Sequence, residues 1–257
     1  MRTRTITAIV GAIIIAPFLV FFDTYAGAAL IQIAGVICTY ELLNATGLKK
    51  KWFLAVPLYI LALGLPLLVY FKENENFFRY SAVIFFLLSI YMLTVSVFSK
   101  GKIQVDNTSV LFTMSFYVLM SLNCLYLLRT EEQGALLYML PLVTSWSTDI
   151  FAYFSGRLFG RHKLIPDVSP KKTVEGAVGG FVCSVGITVL YGLLMKIFFE
   201  ASPNYLNLII AGTLMSIASM AGDLIASLVK RHYGIKDYGW LLPGHGGALD
   251  RIDSVLA

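Results

Sequence analysis

Charged residues are scarce in this sequence. Only 14% of the 257 residues are Asp, Glu, Lys or Arg, whereas 58% are hydrophobic and the mean hydropathy is +0.76. A soluble globular domain typically carries about 25% charged residues, so the composition excludes that class. It predicts an integral membrane protein instead.

Cysteine is also rare, and its spacing excludes two kinds of site. Cys38, Cys124 and Cys183 each stand alone in an apolar run, which excludes a disulfide framework and a zinc site with paired ligands. We interpret them as small buried hydrophobic residues. The net charge of +5 indicates membrane orientation or contact with anionic lipid rather than binding to nucleic acid.

Apolar segments long enough to cross a bilayer, about 20 residues each, recur along the whole chain. They lie at 6–22, 24–43, 52–71, 78–98, 108–129, 134–155, 174–199 and 205–229, and a ninth helix begins near residue 248. The first segment lacks a small-residue cleavage site, so we interpret it as a helix and not as a signal peptide. The segments lack the alternation of barrel strands, and helices satisfy the backbone within lipid. We predict an all-α, polytopic membrane helical bundle of eight complete spans plus a truncated ninth helix.

Lys and Arg residues are concentrated in alternate connections, on the side of the N-terminus. By the positive-inside rule this side is cytoplasmic. We divide the chain into N-terminal membrane helices, 1–130, with few polar motifs, and C-terminal helices, 131–257, with polar cytoplasmic loops at 156–173 and 230–248. Glu41 lies near a helix end, and we interpret it as an interfacial charge.

The densest polar cluster occupies residues 227–253. A turn that contains Gly246 and Gly247 precedes a predicted helix, and free backbone N–H groups at a helix start favour phosphate. Asp250 and Asp253 are three residues apart, so we expect both carboxylates on one face of this helix. Carboxylates beside phosphate-binding groups require a cation, and oxygen ligands favour Mg²⁺.

Polar residues also interrupt the sixth and eighth spans. Asp149 lies within an apolar helix, where an ionisable residue indicates function, although hydrogen bonding to neighbouring helices is the alternative. In the eighth span polar residues recur every three or four positions, namely Ser216, Ser219, Asp223, Ser227 and Lys230. This stripe must face a cavity or a polar helix. Asp223 is therefore placed to share a cation with Asp250 and Asp253.

The longest loop leads into the seventh span through Ser169-Pro-Lys-Lys-Thr-Val-Glu-Gly176. Paired lysines and hydroxyls at a helix start predict a second phosphate site, and the alternative is a basic loop that only sets topology. Gly176, Gly180 and Ser184 follow at four-residue spacing, which predicts close packing of this helix against a neighbour.

The terminal stretch resembles the signature of the phosphatidate cytidylyltransferases, or CDP-diacylglycerol synthases. It can be written Ser-x-x-Lys-Arg-x4-Lys-Asp-x-Gly-x2-Leu-Pro-Gly-His-Gly-Gly-x-x-Asp-Arg-Ile-Asp. Two upstream segments also resemble the family, the Ser169 segment above and Asp149-x-x-Ala-Tyr-x-x-Gly-Arg157. The motifs lie from about residue 144 onward. Family members usually continue beyond the final Asp, so we expect the last helix to be truncated at Ala257.

The resemblance implies Mg²⁺-dependent conversion of CTP and phosphatidate to CDP-diacylglycerol and pyrophosphate, with or without a second cation. The expected surroundings are membrane lipid in a bacterial inner membrane, without nucleic acid and with a homodimer as one assembly. We assign metal binding to Asp223, Asp250 and Asp253, and catalysis to Asp223, Asp250, Lys230 and His245. The expected substrate-binding residues are Asp149, Tyr153, Ser169, Lys171, Lys172, Thr173, Glu175, Arg231, Lys236, Asp237, Gly246, Gly247 and Arg251.

Two other functions are compatible with these residues. A CTP-dependent lipid kinase, of the polyprenol or phytol type, would use the same nucleotide in a membrane bundle. A transporter would bind its solute at charged midplane residues, whereas the charged motifs here lie at the cytoplasmic ends of the predicted helices.

Overall fold

The structure is a computed structural model that describes residues 24–71, 74–240 and 246–257. The predicted span at 6–22 lies outside these residues. The described residues form two compact units: one contains those up to Glu132 together with Tyr233–Arg251, and the other contains Gln133–His232 and Ile252–Ala257.

Four long helices build the first unit. They are α1 (Tyr25–Ala45), α2 (Trp52–Tyr70), α3 (Asn74–Phe98) and α4 (Val105–Thr130). Thr24 caps α1 by accepting a hydrogen bond from the backbone N–H of Ala26, and α2 remains a helix despite Pro57 and Pro66. Helix α1 packs on α2 and α4, and α4 also contacts α2 and α3. The core is aliphatic, with Leu42, Leu58 and Leu119 almost fully buried.

The second unit joins three long helices to a short hairpin. It contains α5 (Gly134–Leu137), α6 (Met139–Phe159), β1 (Lys163–Ile165), β2 (Ser169–Thr173), α7 (Val174–Phe199) and α8 (Tyr205–His232). The strands pair antiparallel, Lys163 with Thr173 and Ile165 with Ser169. The hairpin was not predicted, because β2 has a proline and two lysines in place of alternating apolar residues.

Small residues bring α6 and α7 together. A Cβ atom on Gly176 would lie 2.8 Å from the carbonyl oxygen of Ala152, and one on Gly180 would lie 2.8 Å from that of Thr148. Ser184, further along the same face, is fully buried. The predicted close packing of this face is confirmed.

Hydroxyl groups fill the interior between these helices. Thr144 of α6 hydrogen-bonds to Thr188 of α7 at 3.0 Å, and Thr148 donates to Ser216 of α8 at 3.1 Å. Ser216 and Ser219 are fully buried, and Lys230 is 9% exposed. The polar stripe predicted along α8 therefore faces other helices, as expected.

Seven described helical segments are long and apolar enough to cross a membrane, and they correspond to the seven predicted spans from 24–43 to 205–229. The predominantly helical membrane fold is confirmed. The helix expected near residue 248 is α9 (Leu249–Ile252), which has only four residues.

Candidate functional site

A cavity of about 400 Å³ lies in the second unit, between α6, α7, α8 and the hairpin. Small and apolar residues form much of its wall, including Ala152, Ala177 and Met220. Its polar and charged lining residues are Asp149, Tyr153, Arg157, Lys171, Lys172, Thr173 and Asp223. Six of these seven were predicted as site residues from the sequence, and Arg157 is the addition.

Two of the lining residues form an ion pair. The Nζ atom of Lys172, at the end of β2, lies 2.6 Å from Oδ2 of Asp223 in α8. The other oxygen of Asp223, Oδ1, is 3.5 Å from the hydroxyl of Ser227 one turn later. The two side chains are 25% and 31% exposed, so a ligand in the cavity can reach them and compete for either charge.

The C-terminal residues bring further carboxylates to the second unit. Ser254 donates its hydroxyl to Oδ2 of Asp149 at 2.8 Å, and its carbonyl accepts a hydrogen bond from Ser145 at 3.0 Å. These bonds hold the turn that contains Asp253 against α6. Asp149 and Asp253 are thereby brought near the same site, although they are far apart in sequence.

Asp253 is 8% exposed and feels the charges of its neighbours. The pKa of Asp253 is raised to about 7, first by burial and then by the negative charge of Asp223, against the opposing effect of Lys230. Three carboxylates, Asp149, Asp223 and Asp253, thus act on one another with Lys172 and Lys230 as the neighbouring cations. This surplus of oxygen ligands and negative charge fits a divalent cation chemically, although no three acidic or other metal-ligating side chains converge on one point within the described ranges.

The start of α7 is built by Thr173 and Glu175. Thr173 caps the helix by accepting a hydrogen bond from the N–H of Gly176 at 3.1 Å. Glu175 accepts bonds from the backbone N–H groups of Arg161 and His162, and its Oε1 lies 2.6 Å from Nδ1 of His162. Glu175 therefore closes the loop before the hairpin, and it is outside the cavity lining given above.

Other predicted binding residues of this unit are placed differently. Ser169 pairs with Ile165 in the hairpin. Arg231 is exposed, and its Nε contacts the carbonyl of Val168 at 3.4 Å. Lys230 is buried, close enough to Asp253 to influence its charge.

The first unit contains the loop of the terminal motif. Asp250 accepts two backbone hydrogen bonds at Oδ2, from Tyr238 at 2.7 Å and from Gly247 at 3.0 Å. Gly246 has φ +87°, a conformation that favours glycine. His245 lies outside the described residues, and three predicted binding residues are exposed: Lys236, Asp237 and Arg251.

One geometric prediction for this loop needs correction. Helix α9 ends at Ile252, so Asp253 lies in the turn that follows it. The helical face expected to be shared by Asp250 and Asp253 is not formed. In the turn that follows, the carbonyl of Ile252 accepts the N–H groups of Val255 and Leu256, and Oδ1 of Asp253 accepts the N–H of Ser254.

Glu41 was interpreted as an interfacial charge, and that interpretation is wrong. Glu41 is only 2% exposed, and its carboxylate accepts hydrogen bonds from the N–H groups of Ala248 and Leu249, both at 2.9 Å. The sequence did contain a signal for such a role, because Glu41 is an ionisable residue within a predicted membrane helix, and such residues indicate function by default.

The sequence is similar to those of several known proteins. A model of the Cytidylyltransferase family matches residues 2–257. The chain is 34% identical over 263 residues to a protein of Staphylococcus saprophyticus named phosphatidate cytidylyltransferase, with 100% of this chain and 95% of the relative covered. Proteins of the same name from Bacillus subtilis (strain 168) and Staphylococcus aureus (strain COL) are 32% and 34% identical, with 100% of this chain and 94% and 95% of the relatives covered.

Proposed function

The chain belongs to the cytidylyltransferase family, and we propose from that premise that it is a membrane enzyme that converts CTP and phosphatidate to CDP-diacylglycerol and pyrophosphate. The observation that supports this most strongly is the cavity that combines the Lys172–Asp223 pair with an apolar wall. A lipid phosphate requires both properties, cations for its head and apolar contacts for its glycerol and acyl carbons.

The reaction needs no protein nucleophile. An oxygen of the phosphatidate phosphate is already anionic at neutral pH and forms a bond to the α-phosphorus of CTP. The bond between that phosphorus and the oxygen bridging to the β-phosphate breaks, and pyrophosphate leaves with the electron pair. The protein contributes by aligning the two phosphates and by neutralising their charge.

Cations of the second unit supply this neutralisation. Arg157, Lys171 and Lys172 line the cavity and bind phosphate oxygens, with the planar guanidinium of Arg157 suited to two oxygens at once. Phosphate binding by Lys172 would replace its contact with Asp223 and release that carboxylate for another partner. Lys230 is buried near Asp253 and offsets the charge of the carboxylates.

Asp223 and Asp253 would hold Mg²⁺, and Asp250 remains a third ligand predicted from the sequence. The bound ion supplies charge neutralisation at the phosphates and at the leaving pyrophosphate. Asp149, held by Ser254, orients the turn that contains Asp253. The membrane is the bacterial inner membrane, with the N-terminus and the polar loops on the cytoplasmic side where CTP is available.

The test measures which part of CTP is transferred to the lipid. The purified chain is given phosphatidate, Mg²⁺ and CTP labelled either in the cytosine ring or in the γ-phosphate. Cytidylyl transfer labels the lipid from the ring alone, whereas a lipid kinase labels it from the γ-phosphate alone. Label only from the γ-phosphate, or from neither, contradicts the proposal.

The same assay tests the assignment of Asp223. Asp223→Asn removes the charge that pairs with Lys172, and we expect at least about a hundredfold loss of rate because a charge-assisted contact in the cavity and a proposed metal ligand disappear together. Asp167→Asn is the matched control, since Asp167 is exposed in the turn between β1 and β2. Equal activity of the two variants contradicts the assignment.

A further inference from the structure

A buried carboxylate of the first unit holds the segment that contains Asp250. Glu41, near the end of α1, is 2% exposed. Its Oε1 accepts the N–H of Ala248 and its Oε2 accepts the N–H of Leu249, each at 2.9 Å. The two oxygens therefore bind the N–H groups of the residue before α9 and of its first residue, in a segment about 200 positions away in sequence.

Two glycines let this segment approach the carboxylate closely. A Cβ atom on Gly247 would lie 2.6 Å from both oxygens of Glu41, and one on Gly239 would lie 2.9 Å from its Cδ atom. Heavy atoms do not approach that closely without displacement, so any larger residue would push Glu41 or the segment aside. The chain thus passes the carboxylate twice, at 239 and at 247.

Asp250 closes the same segment from within. Its Oδ2 binds the N–H groups of Tyr238 and Gly247, and Tyr238 is 2% exposed. The start of the segment is also attached, because the hydroxyl of Tyr233 donates to Oδ1 of Asn107 in α4 at 3.1 Å. A change at Glu41 would therefore be transmitted to the backbone that fixes Asp250.

Burying a carboxylate is unfavourable in free energy, because its loss of hydration must be offset by hydrogen bonds. Hydrogen bonds to two adjacent N–H groups fix the orientation of the backbone. A phosphate-transfer site requires such fixed orientation of its groups. We infer that Glu41 is a positioning residue that sets the placement of Asp250 and of the terminal motif. This role rests on the proposed function, in which the motif takes part in the reaction.

The test combines a local measurement with kinetics on the 257-residue chain in detergent. Glu41→Gln replaces one acceptor by an NH₂ donor that faces a backbone N–H, whereas Glu41→Asp keeps both acceptors on a shorter chain. Glu75→Gln makes the same chemical change at an exposed residue of α3 and is the matched control. Hydrogen exchange is followed across the peptide 246–250.

In Glu41→Gln we expect exchange in this peptide to be about tenfold faster or more, because at least one buried donor loses its partner. We expect kcat to fall by about tenfold or more while KM for phosphatidate changes by less than about twofold. Glu41→Asp should recover part of the kcat, and Glu75→Gln should match the wild type in both measurements. A merely structural residue would not give this split or this rescue.

Each contrary result is decisive. Unchanged exchange at 246–250 in Glu41→Gln overturns the anchor, and faster exchange with unchanged kcat overturns the positioning role. If Glu41→Gln does not fold, Gly239→Ala makes the test, since its Cβ displaces the carboxylate without removing it; wild-type exchange and kcat in that variant overturn the inference. A wild-type chain without cytidylyltransferase activity overturns the proposed function, while the exchange experiment still decides the anchor.

Discussion

Substituting Gly180 by alanine should separate α6 from α7 and destabilise the second unit. The added Cβ would lie 2.8 Å from the carbonyl oxygen of Thr148 and 2.8 Å from the Cβ of Ala152. Neither neighbour is the end of a flexible side chain, so the helices must shift. Overpacking of this kind costs roughly 1–3 kcal/mol, and the better helix propensity of alanine returns up to about 1 kcal/mol. We expect a net loss of about 1–2 kcal/mol.

Gly186 provides a control on the same helix. A Cβ atom at Gly186 would meet no described heavy atom within 4 Å, so Gly186→Ala should be neutral or slightly stabilising through propensity alone. Thermal unfolding of the detergent-purified variants measures the difference. For a chain of this size a loss of 1–2 kcal/mol corresponds to a Tm lower by roughly 2–8 °C.

Comparing the two variants separates the effect of crowding between the helices from any general effect of replacing glycine. Gly180→Ala should also lower activity, because α6 and α7 both line the cavity. A Gly180→Ala protein at least as stable as the wild type, or an equal loss of stability in Gly186→Ala, would show that the close approach at Gly180 does not limit stability.

Three further predictions concern the charges of the second unit. Lys172→Met should lower kcat/KM for phosphatidate about tenfold or more, since it removes a cation from the cavity, whereas the exposed Lys163→Met should have little effect; equal values would contradict the role of Lys172. Because the pKa of Asp253 is raised to about 7 by burial, its protonated form stabilises the fold, and this contribution, at most about 4 kcal/mol, is lost as pH rises from about 4 to about 7. Unfolding in metal-free buffer across this range should show a smaller decline in Asp253→Asn, and identical curves would contradict the assignment. Glu175→Gln should speed amide exchange at residues 161–162 without changing KM for either substrate; a raised KM would instead make Glu175 a binding residue.

The helices of the membrane fold could be predicted because each depends on local composition. The apolar runs from 24–43 to 205–229 are long enough to identify a spanning helix without any tertiary information. The polar stripe of α8 was equally accessible, since Ser216 and Asp223 recur with helical spacing and cannot face lipid. Asp223 of this stripe lines the cavity.

Contacts between distant segments could not be predicted in the same way. Glu41 binds the N–H groups of Ala248 and Leu249, and nothing in the residues around Glu41 indicates that partner. The turn after α9 is another case, because Asp253 is placed by the contacts of Ser254 with Asp149 and Ser145 and not by helical periodicity. Local spacing therefore singled out Asp253 but not its placement, and the contacts of Glu41 were not predicted.

If phosphatidate and CTP react in the cavity of the second unit, a bulky side chain introduced into that cavity should block the reaction. Ala177 lines this cavity, whereas the next residue of α7, Val178, is 58% exposed and is not among the lining residues. Neither Ala177→Phe nor Val178→Phe changes a charge. The initial rate of CDP-diacylglycerol formation should fall about a hundredfold or more in Ala177→Phe, because the ring fills space that the substrate needs, and should stay near the wild-type rate in Val178→Phe. Wild-type activity in a folded Ala177→Phe protein would show that the reaction takes place elsewhere.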